Sequence, residues 1–258
     1  MSHPLLNRAI VTVAPADPAE DAVAFLQGLV TNDVTKATAT RPVYAGLLTA
    51  QGKMQFDFLI WAHTFEHGPG LLLDCEKALA DELVKRLSLY RLRRKIDIAV
   101  DPQLCVVWAP PGSEEEEAKG NDPRLPELGF RSVLNSPYNK EGVDQKYLEH
   151  RLAHGVAEGR GELGDLLWLE TNAGDLNGVS FEKGCYIGQE NTARMNWRSK
   201  VNRRVMVVPM EVSDPKRRKA IYRSVGLAVD HMRVDSIPRG LVPEWMKLGE
   251  AQADGSEG

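Results

Sequence analysis

The sequence predicts an α+β fold. Short stretches with strand patterning recur at residues 9–13, 43–48, 54–61, 71–74, 96–100, 104–108 and 201–208. Between them lie three segments with apolar residues at helical spacing, near 17–30, 79–90 and 142–153. Strands and helices are mixed without strict alternation, which disfavours a doubly wound parallel sheet.

Each element has a local reason. Asp17 can cap a helix, Pro18 fits its first position, and Glu20 falls where a capping box needs it. Val23, Leu26 and Val30 would then face the core. Leu79, Leu83, Leu87 and Tyr90 form the apolar stripe of a second helix. The third, over 142–153, has Gly155 suited to its end. Residues 110–126 are rich in proline, glycine and glutamate and read as a loop, with the acidic run 114–117 as its solvated tip. Residues 155–164 form a glycine-rich connector, 166–169 resume apolar order, and the polar tail from Gln252 is expected to fray.

The chain has 258 residues, 43% hydrophobic and 26% charged, an ordinary globular balance. No apolar run is long enough to span a bilayer. Met1-Ser2-His3-Pro4 leads directly into a strand without a basic-then-apolar signal, so a cytoplasmic location is expected. A formal net charge of −4 gives no reason to expect nucleic-acid binding. The three cysteines, Cys75, Cys105 and Cys185, are an odd and scattered set that fits a reducing compartment rather than a disulfide framework. They contain no Cys-x-x-Cys pair, so a resident iron–sulfur cluster is not expected, and no metal site is assigned.

Several local signals have ordinary explanations. Gly159-Arg160-Gly161-Glu162-Leu163-Gly164 spells a dinucleotide fingerprint but follows a helix and a loop instead of a strand, and reads as a glycine-rich turn. His150 and His154 share a helix face without further ligands in view and read as solvated histidines. His63 and His67 flank Gly68-Pro69-Gly70 and read as hairpin-loop residues. Two basic clusters, Arg91/Arg93/Arg94/Lys95 and Lys216/Arg217/Arg218/Lys219, read as solvated faces that could also hold a phosphate or an anionic tail.

The chemically distinctive stretch is Lys183-Gly184-Cys185-Tyr186-Ile187-Gly188-Gln189-Glu190. A thiol between glycines with a lysine two residues away favours thiolate, and so nucleophilic or redox chemistry. A buried cysteine in a tight turn is the alternative. This octapeptide resembles the signature of the YgfZ-type folate-binding proteins, relatives of the aminomethyltransferase (T-protein) of the glycine cleavage system that act in iron–sulfur cluster assembly or repair. Four further blocks resemble that family in its order: Phe25 to Val34, Leu47 to Lys53 running into Asp57-Phe58-Leu59-Ile60, Leu89-Tyr90-Arg91-Leu92-Arg93, and Asp122-Pro123-Arg124-Leu125 with Leu128-Gly129.

The resemblance implies interlocked α+β subdomains over residues 1–200, forming a plate with a central opening, followed at 201–258 by a small β-barrel-like module. About 57 residues after Asn202, with few turn glycines, leave little room for a closed barrel. A reduced barrel is expected, its open edge guarded by the basic run 216–219 or used for docking. The resemblance also implies binding of tetrahydrofolate or a one-carbon-substituted folate, with iron–sulfur client or assembly proteins as partners. Glu170 resembles the relatives' pterin-binding glutamate, and Asp57 the acidic position near the folate's reactive nitrogens. The relatives carry two consecutive acids there, whereas Phe58 follows Asp57, which argues against aminomethyl transfer. Tyr186 could stack or pack, Gln189 and Glu190 could orient a ligand or hold the loop, and Arg194 with Arg198 could bind an anionic tail. The reading is thus a folate-binding accessory protein with Cys185 as its functional thiol, the alternative being a folate-dependent aminomethyl- or methyltransferase with Asp57 near the transferred carbon.

Overall fold

Three antiparallel sheets organise the molecule, a computed structural model that describes residues 2–113, 120–135, 141–197 and 201–248. The acidic run 114–117, Arg198 and the tail from Gln252 lie outside the described residues. In chain order the elements are β1 (His3–Pro4), β2 (Arg8–Pro15), α1 (Ala22–Gln27), β3 (Val43–Leu48), β4 (Met54–Phe65), β5 (Gly68–Glu76), α2 (Ala80–Arg91), β6 (Ile96–Val100), β7 (Leu104–Ala109), β8 (Gly120–Asn121), β9 (Phe130–Asn135), α3 (Asp144–Ala153), α4 (Arg160–Leu163), α5 (Gln189–Trp197), β10 (Arg203–Pro209), β11 (Arg218–Tyr222) and β12 (Leu227–Arg233).

The largest sheet has the order β3-β4-β5-β2-β6. Apart from the edge strand β6 and the end of β4, its strands are largely buried on both faces, and the period of two sorts their side chains. Ala9, Val11 and Val13 of β2 and Phe56, Phe58 and Ile60 of β4 pack with Phe25 and Leu26 of α1 and Leu83 and Leu87 of α2. Ile10, Leu59, Trp61 and Leu72 face the other way, into a core with Val106 and Trp108 of β7, Tyr147 and Leu152 of α3, and Trp168. The second sheet, β1-β7-β9-β8, covers this side. Arg8, Asp57 and Asp74 have the same strand parity as this second set, so polar groups are committed to the space between the two sheets.

The first helix begins later than its sequence suggests. Asp21 caps it, accepting from Ala24 N at 2.8 Å. Asp17 and Glu20 instead form a turn that receives Lys95 and Arg94. The remaining basic cluster is largely occupied too: Arg91 donates to Ile96 O at 3.0 Å. His150 and His154 are not free in solvent. Their rings meet in a tilted contact with centroids 4.5 Å apart, His150 Nε2 lies 2.7 Å from Glu127 O, and His154 Nδ1 lies 2.8 Å from His150 O. His63 sits within β4, paired with Gly70, while His67 occupies the turn.

After Val201 the described chain forms three strands in the order β10-β12-β11, an open sheet rather than a closed barrel. The basic run lies at one edge of it, and its side chains fasten that edge. Arg218 donates to Ser213 Oγ at 2.8 Å, Lys219 to Gly164 O at 2.9 Å, and Arg217 approaches Asp214 at 3.4 Å. Val205 and Val229 pack into the same core as Trp168.

The octapeptide is stapled to the large sheet at two points. Lys183 Nζ, nine-tenths buried as a residue, donates to Gln27 O, Val30 O and Asn32 O at 2.5, 2.6 and 3.1 Å. Gly188 has φ +79° and meets the β3–β4 turn so closely that a Cβ would lie 2.5 Å from Thr49 O and 2.9 Å from Gly52 Cα. Gly184 has no such need, since a Cβ there would touch nothing within 4 Å. Gly188→Ala is therefore expected to cost about 2 kcal/mol or more in urea unfolding, from left-handed backbone plus a backbone clash. Gly184→Ala should fall within about 0.5 kcal/mol of wild type. Equal midpoints for the two variants would mean that the Gly188 contact does not hold the loop.

Candidate functional site

Between the two larger sheets lies a cluster of buried charges centred on Glu158. Arg124 and Arg131 donate to its Oε2 at 2.6 and 2.9 Å, Tyr147 OH donates to the same oxygen at 2.7 Å, and Arg8 approaches Oε1 at 3.4 Å. Arg131 also reaches Asp74 at 2.7 Å, and Arg8 pairs with the other oxygen of Asp74. Arg124 grips Asp122 with two donors, at 2.9 and 2.6 Å. Arg151 holds Glu162 bidentately, and Glu162 also accepts from Glu158 N at 2.9 Å and from Tyr222 OH. Burial works to raise the Glu158 carboxyl, but Arg131, Arg124 and Arg8 outweigh it and hold the group well below the ordinary carboxylate range.

These partners balance. Arg8, Arg124, Arg131 and Arg151 face Asp74, Asp122, Glu158 and Glu162, four charges of each sign. Asp57 is the carboxylate left over. It is only 3% exposed, and its Oδ2 receives weak bonds from Tyr44 OH and Gly159 N, both at 3.3 Å. Among the described residues, its Oδ1 has no hydrogen-bond partner. Burial, and then the nearby charge of Glu158, push the Asp57 carboxyl up to about 6 against the pull of Arg8. The glycine-rich connector therefore has a role other than nucleotide binding: Gly159 (φ +81°) carries the amide that reaches Asp57 before the single turn of α4.

A cavity of about 600 Å³ opens beside this cluster, with Arg8, Tyr147, Arg151, Glu158, Gly159 and Tyr222 in its wall. A second, of about 750 Å³, lies between the end of α3 and the segment around Trp245.

The other sequence-derived candidates are distributed around this centre. Glu170 sits on a single helical turn, Trp168–Thr171, with Oε2 3.0 Å from His231 Nε2 on β12. Trp168 from the same turn packs on Tyr44 at 5.6 Å, and Tyr44 bonds Asp57, so Asp57 and Glu170 stand at the two ends of one aromatic contact. Cys185 is exposed, Cys105 partly buried and Cys75 buried. Burial pushes Cys75 up to about 12 and also raises Cys105. Tyr186 is buried, with the Lys183 ammonium 5.3 Å from its ring. Burial lowers Lys183 to about 8, and its donors are engaged by three carbonyls, so it anchors the loop instead of being held free beside the thiol. Gln189 and Glu190 open α5; Glu190 pairs with Arg194 at 2.7 Å on the exposed face, leaving that arginine partly neutralised. Among the described residues, no three His, Cys, Asp or Glu side chains converge as a metal site requires.

Sequence reasoning missed the ion cluster. Asp122 and Arg124 were part of a recognised block but had no assigned role, and Glu158, Arg131 and Arg8 were not singled out. A signal was present in Asp74, an acid flanked by Leu73 and Cys75 inside an apolar strand, and in Arg131 directly after Phe130.

Because Asp57 titrates higher folded than unfolded, its ionisation opposes folding. The penalty is absent below the unfolded value of about 4, grows as pH rises through 4 to 6, and is complete above 6. Asp57→Asn should therefore be more stable than wild type at pH 7.5, by on the order of 2 kcal/mol, with the gain shrinking toward pH 4.5. Urea unfolding of both proteins across that range checks it; a pH-independent difference would show that Asp57 does not titrate near 6.

No protein-family model matches the chain. It is 34% identical over 237 residues to the mouse protein named iron–sulfur cluster assembly factor IBA57, mitochondrial, covering 80% of this chain and 65% of that one. The human counterpart is 35% identical over 226 residues, covering 76% and 63%. A homolog from Coccidioides immitis is 32% identical over 249 residues, covering 82% and 57%. The chain thus spans a little under two thirds of the length of the curated relatives it matches. These relatives are named as mitochondrial, which overturns the expectation of a cytoplasmic protein. Among solved structures, the aminomethyltransferase T of the Bartonella henselae glycine cleavage system aligns with TM-score 0.65 at 11% identity, over 90% of this chain and 78% of that one. The resemblance read from the octapeptide and its companion blocks is borne out: the chain is a homologue of the IBA57 iron–sulfur cluster assembly factors, built on the aminomethyltransferase T fold.

Proposed function

We propose that this chain is a tetrahydrofolate-binding accessory protein for iron–sulfur cluster assembly or repair, with Cys185 as its functional thiol. The observation that carries the reading is the contrast among its cysteines. Cys185 alone is exposed, on a loop fixed by Lys183 on one side and Gly188 on the other, while Cys75 is buried and Cys105 partly buried, with burial raising both thiols. An exposed thiol on a rigid loop can meet a partner protein without being lost into the core. The relatives' names, iron–sulfur cluster assembly factors, support the same process for this chain.

The folate part rests on the fold and on two carboxyls. Asp57 offers a buried oxygen with no partner, suited to a donor on a ligand, and Glu170 is a half-buried acceptor two residues from a core tryptophan. Tyr186 belongs to the wall of the loop rather than to a stacking platform, and Arg194 would serve a tail from the rim. In this reading residues 1–200 hold the folate and 201–258 supply His231 against Glu170. The unpartnered oxygen of Asp57 also favours a second reading, a folate-dependent aminomethyl- or methyltransferase in which Asp57 stands near the transferred carbon.

Timed alkylation with mass spectrometry should modify Cys185 well before Cys105, and Cys75 last. If Cys75 or Cys105 reacts first, Cys185 has no special standing. Calorimetry with tetrahydrofolate should show binding weakened roughly ten- to a hundredfold by Glu170→Gln, which replaces an acceptor by a donor. Equal affinities would remove Glu170 from the site. Turnover of an aminomethyl donor, lost in Asp57→Asn but kept in Cys185→Ser, would favour the transferase over the accessory reading.

A further inference from the structure

The end of α2 carries a strained and unemployed leucine. Leu92 has φ +52° and ψ −114°, and Arg94 N closes the turn by donating to Arg91 O at 2.9 Å. These angles are those of the first central position of a type II′ turn, roughly +60° and −120°, a place dominated by glycine, asparagine and aspartate. A branched aliphatic residue there works against folding. Such strain is normally offset by packing, yet Leu92 is 86% exposed, and Leu89, in the last turn of α2, is 67% exposed. Neither side chain belongs to a hydrophobic core cluster or packs against one.

The charged residues nearest these leucines in sequence are basic. Arg91, Arg94 and Lys95 turn inward to Ile96 O, Glu20 and Asp17. Among the described residues, Lys85, Arg86 and Arg93 make no side-chain hydrogen bond or ion pair. Two exposed leucines thus stand at the end of a helix locked in the core by Leu83 and Leu87, beside Arg93 and beside Lys85 and Arg86, whose acidic neighbour Glu82 is already paired with Arg160.

We propose that this patch docks a partner protein through an acidic segment bearing an apolar anchor, with Leu92 and Leu89 as the hydrophobic contacts and Lys85, Arg86 and Arg93 as the charge complement. Acidic peptide chemistry fits better than a bilayer. The apolar area is two side chains, too little for a membrane face. The inference stands apart from the folate reading, since it uses none of the same residues.

The test uses a phage-displayed random peptide library panned against the full chain, with counter-selection on Leu92→Gly. Glycine suits the turn, so this variant should melt no lower than wild type. The enriched peptides should be acidic with one or two large apolar residues. Their fluorescence-polarisation affinity should fall about tenfold or more in Leu92→Gly, the scale of a hot-spot contact. In Arg93→Glu, binding should weaken and lose salt dependence. Peptides that bind wild type and Leu92→Gly equally, or no Leu92-dependent enrichment, would overturn the proposal. So would a lower melting temperature for Leu92→Gly, which would make the leucine a folding residue. Self-association in sedimentation, or binding to phosphatidylglycerol vesicles, abolished by the same variant would assign the patch to another occupant and equally overturn it.

Discussion

The structure depends on one electrostatic constraint: Glu158 must be negative in a largely buried space between two sheets. Desolvating a carboxylate is costly unless charges and donors surround it. Here two guanidinium groups and a tyrosine hydroxyl converge on one of its oxygens, and a third guanidinium approaches the other. These donors come from β2, β9, α3 and the loop before Leu125, so one carboxylate joins both large sheets, a helix and a connector. Such a cluster is not evidence of great stability in itself, because apolar replacements of equal volume often do as well. What it does enforce is registry. Removing one member leaves its partners charged, buried and unpaired, so the sheets have few alternative ways to slide against each other.

The same balance explains why Asp57 is different. With four arginines already matched by four acids, a fifth carboxylate in that volume has no counter-charge of its own. It is held by a tyrosine hydroxyl and a glycine amide at the long end of hydrogen-bond range, and one oxygen is orphaned. A fold gains nothing from such a group, whereas a binding site does: an acceptor that is desolvated in advance loses little when a ligand's donor arrives. In the proposed folate reading, the tension between stability and use falls on this one residue.

Most of the regular elements were legible because their signals are local. The strands at 43–48 and 96–100 and the second helix lie almost where alternation and spacing put them. Two kinds of feature were not legible. The first is competition between equally good caps: Asp17 and Asp21 both fit, and Arg94 and Lys95, more than seventy residues away, decide between them by taking Glu20 and Asp17. The second is the meaning of a charged residue inside an apolar strand. Asp74, Arg131 and Arg8 are separated along the chain and look like isolated exceptions; only the pairing of β2 with β5 and the packing of β9 over them make them one group. The octapeptide shows the same limit. Its glycines look alike in sequence, but Gly188 abuts backbone and Gly184 abuts nothing. Its lysine, adjacent in sequence to the thiol's glycine, answers to three carbonyls of the N-terminal region.

That last arrangement links the blocks of the sequence to one another. Lys183 ties the octapeptide to the segment after α1, Gly188 and Asn191 tie it to the β3–β4 turn, and the same turn receives the chain before Glu170 through Trp168 N to Gly52 O at 3.0 Å. The loop that exposes Cys185 and the turn that carries Glu170 are therefore both referenced to the short run 49–53, and from there along β4 to Asp57. A shift of that run would move the thiol, the half-buried glutamate and the orphaned carboxylate together. Their separation along the chain, 128 residues from Asp57 to Cys185, hides a common mechanical origin, which is why residue types alone suggested the chemistry of each and said nothing of their coupling.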